Sequence, residues 1–185
     1  MNTANPTIWN RVDELYTNYG QSAAELAKQG KPIIGYVCSF APLEIITAAG
    51  CVPFRMRGDV QEPITKGDTL LETIVCPFVR SVFDLSIKGK YDYLSGIVIP
   101  HACDSMTRSY SAWSYSLGLP YTHFVNIPSV VEDSSLEFFR EELQTFKRSL
   151  EEFTEREITE SRLSEAIRLH NEGRRRVRDL YEFRK

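Results

Sequence analysis

The chain has 185 residues, is 42% hydrophobic and 25% charged, and carries a formal net charge of −3. This size and balance are typical of one globular domain with a sizeable core, and they exclude a disordered or fibrous chain. No apolar run approaches the ~18 residues needed to cross a bilayer, and the N-terminal stretch lacks the features of a secretion signal. A cytoplasmic location is therefore expected, where cysteines more often bind metals or catalyse reactions than form disulfides.

Apolar periodicity, β-branched runs, and Gly and Pro breaks delimit the predicted elements of the first half of the chain. In chain order these are a helix over about 8–28, a strand over 33–37, a helix over 42–50, a strand over 52–56 and a helix over about 68–73. Pro42 suits the first turn of its helix and Gly50 its end.

The second half continues the alternation of helices and strands. Its predicted elements are a helix over about 77–87, a strand over 94–100, a helix over about 104–118, a strand over 121–127, and long helices over about 134–153 and 160–181. The consecutive Ile97, Val98 and Ile99 suit a strand covered on both faces. Asp104 or Ser105 is expected to cap the helix that follows Cys103.

This order of elements predicts an α/β fold with a doubly wound, mainly parallel four-stranded sheet of Rossmann-like type and additional long C-terminal helices. We expect a helical segment over 1–30, an α/β half-domain over 31–130 and a helical flank over 131–185. The chain lacks a dinucleotide fingerprint, a phosphate-binding loop and a nucleophile elbow. Its basic C-terminal run is interleaved with acidic residues, which indicates a solvated helix face rather than a nucleic-acid surface.

Cys76 and Cys103 each sit where an apolar strand is predicted to give way to a helix. Because the carboxyl ends of parallel strands share one edge, the two thiols are expected to converge there, and thiolates at helix N-termini suit a soft metal centre. The alternative is that they are buried small hydrophobes. That interpretation is favoured for Cys51, whereas Cys38 is expected to line a pocket at the edge without acting as a ligand.

The segment 35–46, continued by 48–55, resembles the N-terminal signature of the 2-hydroxyacyl-CoA dehydratase and benzoyl-CoA reductase family. Cys76-Pro77-Phe78-Val79-Arg80-Ser81 and Cys103-Asp104-Ser105 resemble the next two landmarks of that family, in the same order. The pattern over 158–172 resembles its interdomain helix. The resemblance covers nearly the whole chain and corresponds to the N-terminal half of a family subunit of the 2-hydroxyglutaryl-CoA dehydratase D-component type.

The resemblance implies a [4Fe–4S] cluster, held in each cluster-bearing subunit by two cysteines of a first α/β domain and one of a second. Cys76 and Cys103 stand at the first two positions, as cofactor-binding and metal ligands, and the third position has no counterpart in this sequence. We expect the missing cysteine to come from the absent part of a longer chain or from another polypeptide. Two thiolates alone do not hold a cluster firmly, so this chain by itself is expected to be inactive.

The resemblance also implies partners and a reaction. These are a second subunit in a heterodimeric core, an ATP-hydrolysing iron–sulfur activator protein that delivers low-potential electrons, and an acyl-CoA substrate that forms a ketyl radical or undergoes ring reduction. Neither nucleic acid nor a membrane is expected as a partner. Two alternatives stay open, a cluster-carrying electron-transfer protein of the same superfamily and a non-catalytic half-subunit that has lost the cluster.

Two further residues are candidates for the catalytic site. Ser39, at the end of the first strand, is expected to hydrogen-bond the thioester carbonyl, where developing negative charge would strengthen the bond. Capping of the next helix is the equally weighted alternative for Ser39. Glu44, in the first turn of that helix, is expected either to contact the substrate or to stabilise the helix dipole, with the second slightly favoured.

Overall fold

A computed structural model of the chain describes residues 6–184. The strands are β1 (Ile33–Tyr36), β2 (Val52–Arg55), β3 (Gly96–Pro100) and β4 (Tyr121–Val125). The helices are α1 (Pro6–Thr17), α2 (Gln21–Lys28), α3 (Leu43–Ala48), α4 (Pro77–Ile87), α5 (Asp104–Leu117), α6 (Asp133–Thr154) and α7 (Glu160–Glu182). Residues 1–5 and 185 of the expected terminal segments lie outside the described range.

The four strands form one sheet in the order β2-β1-β3-β4, and every neighbouring pair is parallel. The predicted α/β fold class is therefore confirmed, including the long C-terminal helices. The chain passes from β1 to a neighbour on one side and then crosses to β3 on the other side. In an open parallel sheet, the crevice at the carboxyl ends of two such strands is the usual place for a ligand.

Both faces of the sheet are covered, as the apolar runs predicted. Ile33 and Ile97 belong to the core beneath α4 and α5, where Phe83 stacks on Trp113 with ring centroids 6.1 Å apart. Their neighbours along each strand point to the other face, because side chains alternate along a strand. That second core contains Ile34, Val98, Ile46, Phe146 and Leu150 from β1, β3, α3 and α6.

Two of the predicted helices are wrong. The pattern over 8–28 forms two helices, because Gly20 adopts φ 94° between α1 and α2. A Cβ at Gly20 would lie 2.5 Å from the Tyr93 hydroxyl, so this break depends on the absence of a side chain. The pattern over 68–73 forms only a single 3-10 turn, Gly67–Thr69, and Cys76 consequently follows a loop rather than a strand.

None of the helices in the described part of the chain combines the length and hydrophobicity required to span a membrane.

Candidate functional site

The site predicted from the cysteines lies at the carboxyl edge of the sheet. Cys103 follows β3 and Cys38 follows β1, so these two residues flank the point where the strand order reverses. Cys76 joins them from the N-terminus of α4, where its backbone N–H donates a hydrogen bond of 3.1 Å to Ser105 Oγ. The bond ties the start of α4 to the first turn of α5. The structure therefore brings Cys76 and Cys103 to one edge, as the sequence predicted.

Both cysteines occupy the N-cap positions of their helices. Cys76 precedes α4 and Cys103 precedes α5, and neither N-terminus has a side-chain capping bond. The prediction that Asp104 or Ser105 caps α5 is wrong, because Asp104 is already the first helical residue. The first N–H groups of a helix lack partners within it and favour negative charge. An anionic group bound between the two cysteines would meet the N-termini of two helices.

Cys38 is part of the same cluster of thiols. Burial raises the pKa of Cys38, and the nearby thiols of Cys103 and Cys76 raise it further. Its φ of 63° lies in the left-handed region, which is unfavourable for a residue with a side chain. Strained backbone of this kind tends to occur where the surrounding structure fixes a functional site. The sequence offered no signal for this conformation, because left-handed positions usually show as Gly or Asn.

The four cysteines differ in exposure. Cys103 is exposed, Cys38 and Cys76 are half-buried, and Cys51 is buried. Burial raises the pKa of Cys51 to about 11, despite the opposing charge of Arg156. The interpretation of Cys51 as a buried hydrophobe is confirmed, since its thiol belongs to the core between the sheet and α3.

The thiols at the edge suit an iron–sulfur cluster in kind but not in number. Thiolate sulfur is the usual protein ligand of such clusters, which normally take four ligands. Cys76 and Cys103, at the N-cap positions of α4 and α5, would provide two of them. Among the described residues, however, no group of three or more His, Cys, Asp or Glu side chains is placed to hold a metal ion. For such a cluster the described residues would therefore supply part of the ligand set, and the other ligands would have to come from outside them.

Ser39 lies at the same edge, directly after Cys38, and is exposed. It does not cap α3, because that helix begins at Leu43 with Pro42 at its N-cap position. The capping alternative for Ser39 is therefore wrong, and its role toward a substrate stays a prediction.

Glu44 has a partner within the chain. Its carboxylate accepts a hydrogen bond from Arg174 of α7, 130 residues away, and only 21% of its side chain is exposed. Burial opposes ionisation, but the bond from Arg174 outweighs it and lowers the pKa of Glu44. Close by, Thr47 Oγ1 lies 2.8 Å from His170 Nε2, so α3 and α7 are joined by two polar contacts. These contacts favour a structural role for Glu44, while a substrate contact stays a prediction.

Replacing Glu44 by Gln is expected to lower the free energy of unfolding by about 1 kcal/mol at neutral pH, since a partly exposed ion pair contributes little more. The folded-state pKa of Glu44 is lowered, so its contribution is complete above the unfolded-state pKa and is lost as pH falls through the lowered value. Urea unfolding at neutral and acidic pH measures both effects. Glu152→Gln, an exposed change on α6, is the control. Equal stability of Glu44→Gln and the wild type at neutral pH would contradict the structural role.

The fold and this edge define a class, a parallel α/β protein with a cluster of thiols at the switch point of its sheet. Residues 38–185 match the family model of the 2-hydroxyglutaryl-CoA dehydratase D-component, and the chain belongs to this family. The resemblance drawn from the sequence motifs is thereby confirmed.

Curated relatives of the chain are subunits of dehydratases and reductases. It is 30% identical to a benzoyl-CoA reductase subunit of Thauera aromatica, over 94% of this chain and 46% of that protein. It is 28% identical to the putative dehydratase subunit YjiM of Escherichia coli K12, over 96% and 47%. It is 25% identical to the beta subunit of (R)-2-hydroxyglutaryl-CoA dehydratase of Acidaminococcus fermentans, over 85% and 42%. The chain spans about half the length of these relatives.

Proposed function

We propose that the chain is the N-terminal, thiol-bearing part of a subunit of a 2-hydroxyacyl-CoA dehydratase or benzoyl-CoA reductase. Cys76 and Cys103 would hold a [4Fe–4S] cluster together with a third cysteine from outside this chain. The observation that carries the proposal is the placement of these two thiols at the N-termini of α4 and α5, joined by the Cys76 N–H···Ser105 bond. Membership of the family and the names of its relatives support it.

The cluster, when bound, would supply single low-potential electrons to an acyl-CoA thioester. We propose an ATP-hydrolysing iron–sulfur activator as the electron donor and a second subunit as the partner in a heterodimeric core. The relatives are themselves named as subunits, which supports an assembly of this kind. The exposed Cys103 leaves this edge accessible to another polypeptide.

The chain's own residues would bind the anionic group between the two cysteines and orient the thioester. The N-termini of α4 and α5 would stabilise negative charge between the two cysteines, because helix N-termini favour anions. The bond from Cys76 N–H to Ser105 would hold the two helix starts at a fixed separation. The Ser39 hydroxyl would donate a hydrogen bond to the thioester carbonyl oxygen, and that bond would strengthen as negative charge develops there.

The test is the iron and acid-labile sulfide content of the chain, produced anaerobically together with a polypeptide that supplies the second half of a family subunit. We expect about four iron and four sulfide per assembly, with an EPR signal on reduction, and loss of both in the Cys76→Ala, Cys103→Ala variant. Cys51→Ala is the matched control, because it removes a buried thiol distant from the edge.

Three results would contradict the proposal. Iron retained in full by the double variant would show that other residues bind the cluster. An assembly without iron under strict anaerobiosis would favour the alternative of a half-subunit that has lost its cluster. An iron-loaded assembly that binds no acyl-CoA would instead favour an electron-transfer protein of the same superfamily.

A further inference from the structure

A cavity of about 400 Å³ lies between the start of α4 and the loop that follows β2. Its walls are mainly apolar, with Pro77 and Phe78 from the first turn of α4 and Val60 and Ile64 from the loop. Pro77 directly follows Cys76, so the cavity begins one residue from a proposed cluster ligand. Cavities of this size with apolar walls and few polar groups are typical of small-molecule sites.

The loop wall of the cavity is fixed by polar contacts with one face of α4. Ser81 Oγ accepts a hydrogen bond of 3.0 Å from Asp59 N–H. One turn further, Asp84 accepts hydrogen bonds from the N–H groups of Thr65 and Gly67. Another turn on, Lys88 donates to the Pro63 carbonyl at 3.0 Å. Three attachments at successive turns hold residues 58–67 in place, so the cavity does not need a ligand to form it.

Apolar side chains around the cavity mouth are left without cover. Val60 is 96% exposed, and Phe78 is also exposed at the first turn of α4. Asp59 N–H is held by Ser81, and the Asp59 carboxylate accepts the Gln61 N–H at 2.9 Å, which fixes the turn that presents Val60. Apolar side chains presented by a fixed backbone at the rim of an apolar cavity favour binding of an apolar group over water.

The charge on the cavity rim has one sign. Asp59 and Glu62 line the cavity, and none of the lining residues in the described part of the chain is basic. Lys88 lies outside the lining, 3.8 Å from Glu62, but 2.6 Å from the buried Asp84, with which it pairs more closely. A ligand that carries its own carboxylate would therefore meet like charge here, and such juxtaposition disfavours binding.

We propose that this cavity binds the acyl group of the thioester substrate, and that the acyl group is uncharged and apolar, either aromatic or branched aliphatic. The inference rests on the proposed function, since an acyl-CoA is taken as the substrate. It deepens that function, because it distinguishes neutral acyl groups from dicarboxylic ones. The relatives include proteins named for both kinds, benzoyl-CoA and 2-hydroxyglutaryl-CoA.

The test is calorimetric titration of the chain, alone and in the assembly, with benzoyl-CoA, glutaryl-CoA and CoA. CoA provides the baseline, so each difference reports the acyl group alone. We expect benzoyl-CoA to bind about tenfold or more tightly than CoA, since a filled apolar pocket discriminates to this degree, and glutaryl-CoA to bind no more tightly than CoA. Phe78→Ala should abolish the benzoyl advantage, whereas Ile74→Ala should retain it. Ile74 is 82% exposed near Cys76 but does not line the cavity.

A variant with Asp59→Asn and Glu62→Gln removes the negative charge from the cavity rim and so tests its effect on a charged acyl group. It should strengthen glutaryl-CoA binding relative to CoA and leave the benzoyl advantage intact. Equal binding of all three ligands, or a benzoyl advantage that survives Phe78→Ala, would overturn the proposal. Loss of the benzoyl advantage in the assembly alone would overturn it too, by showing that the partner polypeptide covers the cavity. The titration needs no iron, so its failure is distinct from failure of the iron assay.

Discussion

Replacing Asp84 by Ala is expected to lower the free energy of unfolding by about 3–5 kcal/mol, the cost of breaking a buried, hydrogen-bonded ion pair. Asp84 is 1% exposed and accepts N–H bonds of 2.9 Å from Thr65 and 2.8 Å from Gly67. Its other oxygen pairs with Lys88 Nζ at 2.6 Å. Truncation would leave two backbone donors without their acceptor and would remove the nearest carboxylate from Lys88, which keeps its bond to the Pro63 carbonyl. Urea unfolding of variant and wild type measures the loss.

The same variant is expected to show a characteristic pH dependence. Burial opposes ionisation of Asp84, but the bonds from Lys88, Gly67 and Thr65 prevail and lower its pKa. The stability difference should therefore be full above the unfolded-state pKa and should shrink as pH falls through the lowered folded-state value. Asp92→Ala, an exposed change in the turn before β3, is the control. A loss below about 1 kcal/mol, the size of a surface effect, would refute this account of Asp84.

Asp84 also connects stability to the proposed acyl cavity. Its two backbone bonds hold residues 65 and 67, at the end of the loop whose earlier part forms the cavity wall. In Asp84→Ala we expect faster amide hydrogen exchange over 58–67, because local opening follows the loss of backbone hydrogen bonds. The Cys76–Ser105 contact involves neither this loop nor Asp84.

The sheet could be predicted because each central strand is indicated by its own residues and by those next to it. The runs at 33–37 and 96–100 are apolar and β-branched, with breaks of Gly or Pro beside them, and they form β1 and β3 at the centre of the sheet. Alternation with helices then leaves few topologies, since parallel strands need crossover connections. That topology accounts for Cys38 and Cys103 at one edge, because they follow β1 and β3.

The errors lie where distant residues decide the local structure. Residues 68–73 looked helical, yet Asp84 draws Gly67 into a short turn and the chain then enters a loop. The arrival of Cys76 from a loop, rather than from a strand, could not be inferred from its neighbours. Glu44 was assigned from its helix alone, although its partner Arg174 is on α7. Contacts across such separations have no period or motif in the sequence.

Cys38 shows how far the candidate site could be predicted from the sequence. Its position after β1 predicted that it lies near the edge, but not that the thiols of Cys76 and Cys103 raise its pKa, nor that its backbone is left-handed. A cysteine at positive φ carries no mark in the sequence, so its place in the thiol cluster became visible only in the structure. Cys76 and Cys103 both stand at helix starts, although Cys76 follows a loop instead of the expected strand, and their role as ligands stays a prediction.

Replacing Gly96 by Ala is expected to lower the free energy of unfolding by about 2–3 kcal/mol, in the range for forcing extra atoms into a packed core. A Cβ at Gly96 would lie 2.7 Å from both Cβ and the carbonyl oxygen of Tyr121, its partner in the β3–β4 register. The clash is with backbone and Cβ atoms, so rotation of the Tyr121 side chain cannot relieve it. Because β3 leads to Cys103, we also expect the cluster content of the assembly to fall.

Gly173→Ala supplies a control of the opposite sign. Gly173 lies within α7, and a Cβ there would have no atom within 4 Å. Alanine is a better helix former than glycine by about 1 kcal/mol, so Gly173→Ala should raise the free energy of unfolding. Urea unfolding is measured for both variants, and iron content is measured on both assemblies. Comparing the two variants separates the steric effect of the added Cβ at Gly96 from the general effect of replacing a glycine by alanine. A Gly96→Ala variant as stable as the wild type would show that the close approach of Tyr121 does not exclude a Cβ at this position.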